Sequence, residues 1–359
     1  MKGERWREAA EQLAAWFEVH RRPMPWRGTR DPYGIWVSEV MLQQTRVATV
    51  LDKWPRFLRR FPTPGDLAAA SDDELLSAWA GLGYYRRARQ LRAAMQSVLA
   101  EHGGEIPREP EDFGALPGVG PYTRGAVLSI AHDAPLPAID GNVERVLSRF
   151  DLVEGDPKKP ATHRGFAKRI AYMHEAAAPS ILNQALMELG ATLCSKTRPS
   201  CLSCPIQKNC AARLAGRSEE LPQKKPKPKP TVLSVQLLWA QDGKRVLARR
   251  VPKGEVNEGQ LCLPGPGLPR PKYPSLKEAL RQEHRLHAPK LGPSLGSIRH
   301  GITRYRLEIE LCAPAMPKAK LDRALGLSWQ RQDDPALPWS TVARKAFKLM
   351  AKQGKVAAE

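Results

Sequence analysis

Four cysteines, Cys194, Cys201, Cys204 and Cys210, are separated by six, two and five residues, close enough for all four thiolates to serve one metal centre. Structural zinc usually draws on two C-x2-C pairs or on added histidines, whereas this stretch has one pair and no histidine. The spacing fits an all-cysteine cubane [4Fe-4S] cluster best, a zinc site second and free or disulfide-linked thiols third. Lys196, Arg198, Lys208 and Arg213 surround these cysteines and would present positive charge to an anionic partner.

Two carboxyl groups form a second chemical set. Glu39 lies in GIWVSEVMLQQT, where Ile35, Trp36 and Leu42 share its helical face. Partial desolvation of this kind raises a carboxyl pKa and makes a general acid usable near neutrality. A glutamate reaching back to solvent is the plainer alternative. Asp140, in Ile-Asp-Gly-Asn-Val, precedes the helical run VERVLSRF, and taken alone it or Asn142 reads first as a helix cap. One protonated and one ionised carboxyl placed across a glycosidic bond cleave it by acid assistance and cation stabilisation. Between two helical segments, Leu116-Pro117-Gly118-Val119-Gly120 permits a tight turn whose backbone N-H groups point outward at the start of the next helix. An ordinary helix-helix turn is the rival, but in so basic a chain this reads as a helix-hairpin-helix that grips the DNA backbone without reading sequence.

The elements that must position these groups follow from periodicity. Residues 1 to about 220 run as helix after helix, including REAAEQLAAWFEVH, YGIWVSEVMLQQTRVATVLDKWPRFLRRF, DDELLSAWAGL, TRGAVLSIAH and ILNQALMELGATL. The stretch PQKKPKPKP at 222–230 cannot form a core and is expected to be an extended cationic tether. Beyond it, TVLSVQLLWA, RVLARR, GSIRH and TRYRLEIELCA are short β-branched runs, with a helix around SLKEALRQEHRL, so residues 231–359 should form a smaller α/β domain. The expected division is a helical domain over 1–221, the tether, and that second domain.

In 359 residues, 57 Lys and Arg stand against 37 Asp and Glu, a net charge of +20 that favours a polyanion such as nucleic acid. No apolar run approaches twenty residues, and the N-terminus reads as an amphipathic helix, so a cytoplasmic protein with no membrane association is expected. Cys262 and Cys312, far from the cysteine loop, are expected to be buried reduced thiols.

The cysteine spacing, LPGVG and the later Asp140 together resemble the endonuclease III superfamily of DNA glycosylases. WVSEVMLQQTRV, GLGYYRRAR, LPGVGPYTRGAV, DGNVERVLSR and NQALMELGA resemble its MutY-type, adenine-specific branch, and the resemblance covers most of residues 20 to 222. It implies an all-α helix-hairpin-helix glycosylase domain with a [4Fe-4S] loop, a Nudix-like second domain, and a monomer acting on double-stranded DNA with adenine mispairs. By the same resemblance, Glu39 would protonate the extruded adenine and later help deliver water, Asp140 would stabilise or trap the sugar cation, and Asn142 would hold Asp140. Tyr122 stands where lyase members carry a Schiff-base lysine, which implies weak or absent strand cleavage and a role lining the pocket. Arg22, Trp26, Leu42 and Gln184 match positions around the flipped base. Gln44 and Tyr84 match residues that push into the duplex, a step needed because a stacked base cannot be reached.

The second domain departs from the family. Where relatives carry a Phe-Ser-His turn that reads 8-oxoguanine, this chain has Ile302, Thr303 and Arg304, of which Thr303 keeps a hydroxyl and Arg304 replaces a histidine with a permanent charge. Only Glu278 and Glu283 remain of a glutamate-rich metal box, so nucleotide hydrolysis is not expected. Removal of adenine opposite 8-oxoguanine or guanine is the leading reading; a thymine-specific relative and a non-catalytic DNA-binding protein are the alternatives.

Overall fold

The computed structural model describes residues 2–223, 229–270 and 272–356. The expected tether falls mostly on residues 224–228, outside the described residues. The chain divides into two units, Met1–Ala69 with Arg89–Pro226, and Ala70–Ala88 with Lys227–Glu359. Assignment of residues 70–88 to the C-terminal unit is a feature that linear reading does not anticipate. Within that unit Arg250 pairs with Asp73 at 2.5 and 3.0 Å, and Ser77 Oγ donates to the Pro335 carbonyl at 2.5 Å.

In chain order the helices are α1 (Lys2–His20), α2 (Pro32–Leu42), α3 (Val47–Arg60), α4 (Pro64–Ala69), α5 (Asp72–Ala78), α6 (Arg86–His102), α7 (Pro110–Ala115), α8 (Pro121–His132), α9 (Gly141–Phe150), α10 (Pro160–His174), α11 (Pro179–Ala191) and α12 (Ala211–Leu214). Periodicity predicts one continuous helix from Tyr33 to Phe61, but the structure breaks it between Leu42 and Val47. Gln44 there takes φ +57°, and Thr45 N donates to Leu42 O at 3.2 Å, closing a turn that the apolar spacing on either side conceals. At α5, Ser71 and Glu74 form a reciprocal capping box that sets its first residue.

The core of the first unit is built where α1, α9, α10 and α11 meet, on Leu13, Phe17, Leu147, Phe150, Phe166 and Leu186. The segment leading to Asp140 is held from two sides. Fully buried Asn183 accepts from Ala138 N at 3.2 Å and donates to Leu136 O at 2.8 Å and Ser129 Oγ at 2.9 Å. On the other side α8 approaches so closely at Gly125 that a Cβ there would lie 2.1 Å from the Pro137 carbonyl oxygen.

In the second unit, β1 (Thr231–Leu238), β6 (Tyr305–Pro314) and β5 (Leu291–Ile302) form one sheet in the order β1-β6-β5, with β1 and β6 parallel. A second sheet joins β2 (Gln241–Asp242), β3 (Arg245–Arg250), β4 (Leu261–Cys262) and β7 (Leu327–Arg331), with β3 pairing to all three. Helices α13 (Leu276–His284), α14 (Lys318–Asp322) and α15 (Thr341–Val356) complete this β-rich α/β region. Cys262 and Cys312 are buried free thiols within it. No helix among the described residues is long and apolar enough to cross a membrane.

Gly125→Ala tests the grip on the Asp140 approach. Alanine gains about 1 kcal/mol of helix propensity, but overlap with a backbone carbonyl costs about 3 kcal/mol or more. A net fall in thermal midpoint is expected, and an unchanged or raised midpoint would show that Pro137 yields freely.

Candidate active site

A cleft of about 700 Å3 in the first unit brings together residues from five places in the chain. Of the expected site residues, Arg22, Trp26, Glu39, Leu42, Gln44, Gly118, Gly120, Tyr122, Asp140, Asn142 and Gln184 all line it. Leu116 does not line it: its side chain is buried, so within the hairpin it serves packing and leaves any grip on a duplex to the backbone. The turn has the expected form, with Gly118 at φ +77° and Val119 N donating to Leu116 O at 3.1 Å. A Cβ on Gly118 would lie 2.8 Å from Cβ of Gln90, so both conformation and space require glycine. Gly120 caps α8 without a side chain, leaving the first amides of that helix for another acceptor.

Glu39 sits on α2 with only 5% of its surface exposed, among Ile35, Trp36 and Val40. Burial pushes its carboxyl up to about 7; the Tyr122 hydrogen bond and Arg27 oppose the rise, and the nearby charge of Asp140 adds to it. The Tyr122 hydroxyl donates to Oε2 at 2.6 Å. Burial and the charge of Glu39 in turn hold the phenol well above its ordinary pKa.

Asp140 caps α9, and this helix-cap reading and the active-site reading turn out to be compatible. Oδ1 accepts from the backbone of Asn142 at 2.9 Å and Val143 at 2.8 Å, while Oδ2 accepts from Asn142 Nδ2 at 2.8 Å. These three N-H donors at the start of α9 fix where the carboxyl group stands in the cleft. Asn142 is oriented by Arg145, which donates to its Oδ1 at 2.9 Å, to Gly190 O at 2.5 Å and to Cys194 O at 2.8 Å. Gly190 permits this, since a Cβ there would lie 2.6 Å from Asn142 Cβ.

Sequence reading missed Arg27, Met187 and Glu188, which also line the cleft. A usable signal was present: Glu188 is the lone acid of ILNQALMELG and stands one turn after Gln184. Arg22 donates to Glu188 through Nε at 2.6 Å, NH2 at 2.8 Å and its backbone N at 3.2 Å, and Arg27 through NH2 at 2.8 Å. Burial works against this charge, but the hydrogen bonds from Arg22 and Arg27 outweigh it and hold the carboxyl down at about 2.

The four cysteines of the metal-binding reading line one small cavity with Arg149, Ile206 and Arg213. Arg149 approaches Cys194 Sγ at 3.3 Å and ties the loop down through Ser195 O at 2.7 Å. Burial pushes the Cys204 thiol up to about 12, to which the proximity of the other three thiols contributes. Among the described residues, no three His, Cys, Asp or Glu side chains are arranged to hold a single metal ion.

In the second unit, Tyr84 is 49% exposed with φ +47°. Thr303 and Arg304 form the exposed two-residue turn joining β5 and β6, with Thr303 at φ +51°, a strained value for a β-branched residue. Ile302, expected with them as a lesion reader, is 7% exposed and packs inward, so it offers no wedge to a ligand in this conformation.

Residues 37–177 match the HhH-GPD superfamily of base excision DNA repair proteins, and that sets the class. The adenine DNA glycosylase of Rattus norvegicus is 43% identical over 222 residues, 58% of this chain and 43% of the relative. That of Mycobacterium tuberculosis is 42% identical over 206 residues, 57% of this chain and 67% of the relative. The chain belongs to the adenine DNA glycosylase family, although it spans under half the length of the rat relative. A solved structure of a thermostable thymine-DNA glycosylase aligns over 60% of this chain and 99% of its own, with a TM-score of 0.55 and 25% identity.

Tyr122→Phe is expected to move the Glu39 titration above 7, because the hydrogen bond it removes favours the ionised carboxylate. Carboxyl 13C NMR of the full chain measures this directly; a titration that stays in place or falls would show that the bond does not control the acid.

Proposed function

We propose that this protein is a monofunctional DNA glycosylase that releases adenine mispaired with 8-oxoguanine or guanine. The observation that carries the reading is Glu39, buried with its carboxyl pushed up to about 7, in one cleft with a hydrogen-bonded Asp140. Glu39 gives its proton to a ring nitrogen of the flipped adenine while the C1′-N9 bond breaks and its electron pair leaves with the base. Positive charge then develops on the sugar, where the Asp140 carboxylate stabilises it, and water adds at C1′ with loss of a proton to Glu39. Tyr122 positions Glu39 and cannot form an imine, so strand cleavage is not expected.

The donor chemistry of the cysteine loop fits a [4Fe-4S] cluster held by Cys194, Cys201, Cys204 and Cys210: four thiols line one cavity, and Arg149 offsets thiolate charge. When bound, such a cluster would fix the loop that carries Lys196, Arg198 and Lys208. The C-terminal unit is read as a Nudix-like lesion-recognition module that uses the Thr303-Arg304 turn. Of the two glutamates left from the metal box, Glu283 is already engaged by buried Arg249 at 3.1 Å and by Arg270 at 2.8 Å, and Arg249 also pairs with Glu255 at 2.5 Å, which supports recognition rather than metal-dependent hydrolysis. The protein is expected to act on double-stranded DNA as a monomer.

Duplexes carrying adenine, thymine or 8-oxoguanine in defined pairs, incubated with the protein and then cleaved with alkali, test the reading. Breakage at adenine opposite 8-oxoguanine supports it; breakage only at thymine, or intact strands despite tight binding, overturns it. Base release should fall as pH rises through about 7, where Glu39 loses its proton. Glu39→Gln should still bind the duplex but lose base release by about two to four orders of magnitude. Near-normal turnover would remove Glu39 from the mechanism. Tyr122→Lys should gain strand nicking with a borohydride-trappable adduct, and absence of any adduct would contradict the inferred sugar position.

A further inference from the structure

We infer that Glu188 is a positioning residue for proton transfer, holding residues 22–28 against α11 so that Trp26 and Arg27 stand in fixed relation to Glu39. The inference rests on the glycosylase reading and deepens it. Glu188 is 1% exposed, and its two oxygens collect donors from Arg22 and Arg27, one residue at each side of Trp26. Arg27 NH1 then donates to Arg22 O at 3.0 Å, which closes the segment on itself. Inside that closed segment lies the 3-10 turn Pro25–Gly28, whose Trp26 is buried and meets Trp54 edge-on at 6.0 Å. One carboxylate therefore determines the placement of both an aromatic wall of the cleft and the guanidinium whose charge acts on Glu39.

The electrostatic consequence has a definite sign. Charged and titratable groups reach Glu39 from each neighbouring element: the Tyr122 hydroxyl from α8, Asp140 at the cap of α9, and Arg27 from the turn. Glu188 on α11 acts through Arg27. Two guanidinium groups sharing one carboxylate carry a net charge of +1, and neutralising the carboxylate leaves +2 beside the cleft. A larger positive charge favours ionised Glu39 and so brings its deprotonation to lower pH.

The test uses the full chain with Glu188→Gln, Arg27→Gln and the double variant. Each is followed by carboxyl 13C titration of Glu39 and by single-turnover adenine release across the neutral range. In Glu188→Gln the Glu39 titration and the fall in rate should both move down by about half a pH unit or more. Adding Arg27→Gln should return them to the wild-type position or above. Lost packing alone would lower the rate by one factor at every pH and leave the titration where it was, and that result overturns the inference. If Glu188→Gln does not fold, Arg27→Gln alone must move the titration upward, and an unmoved titration again overturns it. Wild-type protein that releases no adenine would sink the glycosylase reading, while the NMR titration would still decide the role of Glu188.

Discussion

A carboxyl group placed on an apolar helix with almost no exposed surface loses more hydration than one hydrogen bond returns. Glu39 is in that position, and what surrounds it is arranged to leave the imbalance in place. Tyr122 offers a single neutral donor, Arg27 is already engaged by Glu188, and Asp140 contributes a like charge that makes a second ionisation in the cleft costly. The same protein thus contains a carboxyl held near 7 and another, Glu188, held at about 2, with burial acting upward on both. Charge-assisted hydrogen bonds decide between them: Glu188 receives them from two guanidinium groups, whereas Glu39 receives one phenolic bond.

Asp140 is at once the cap of α9 and part of the cleft wall. Its bonds to the first amides of α9 stabilise the helix, and the same bonds hold its carboxyl group in place in the cleft. Those bonds hold only if the segment before α9 is placed accurately, which Asn183 and the close approach at Gly125 provide. From its cap, α9 carries Arg145 and Arg149 to the cysteine loop, so the site and the loop share one rigid element.

The C-terminal unit is organised by a different constraint. Arg249 gathers Glu255 and Glu283 in its interior, and Ile302 turns into the core, leaving the short Thr303-Arg304 turn as its exposed counterpart to the expected lesion-reading motif. Left-handed backbone at Thr303 recurs at Gln44 and Tyr84, two other positions expected to meet a duplex. In each case a non-glycine side chain is exposed at a left-handed residue, a conformation that costs energy and that regular elements do not supply.

Much of this was written in the linear order of residues. The helices of the first unit, the β-rich character of the second, the glycine hairpin and the cysteine spacing are all local patterns, because helical period, turn chemistry and ligand spacing act over a few residues. The chain alone also marked Glu39 and Asp140, one by its apolar helical face and one by its position before a helix. What it could not show was their common cleft, the break at Gln44 inside an unbroken apolar period, the inward turn of Ile302, the burial of Leu116, or the Arg22-Glu188-Arg27 clamp. Each of these depends on which groups from distant parts of the chain exclude water from one another. The sequence by itself determined which side chains could do chemistry; tertiary packing alone decided their protonation, since a pKa is set by burial and by neighbours up to 166 residues away.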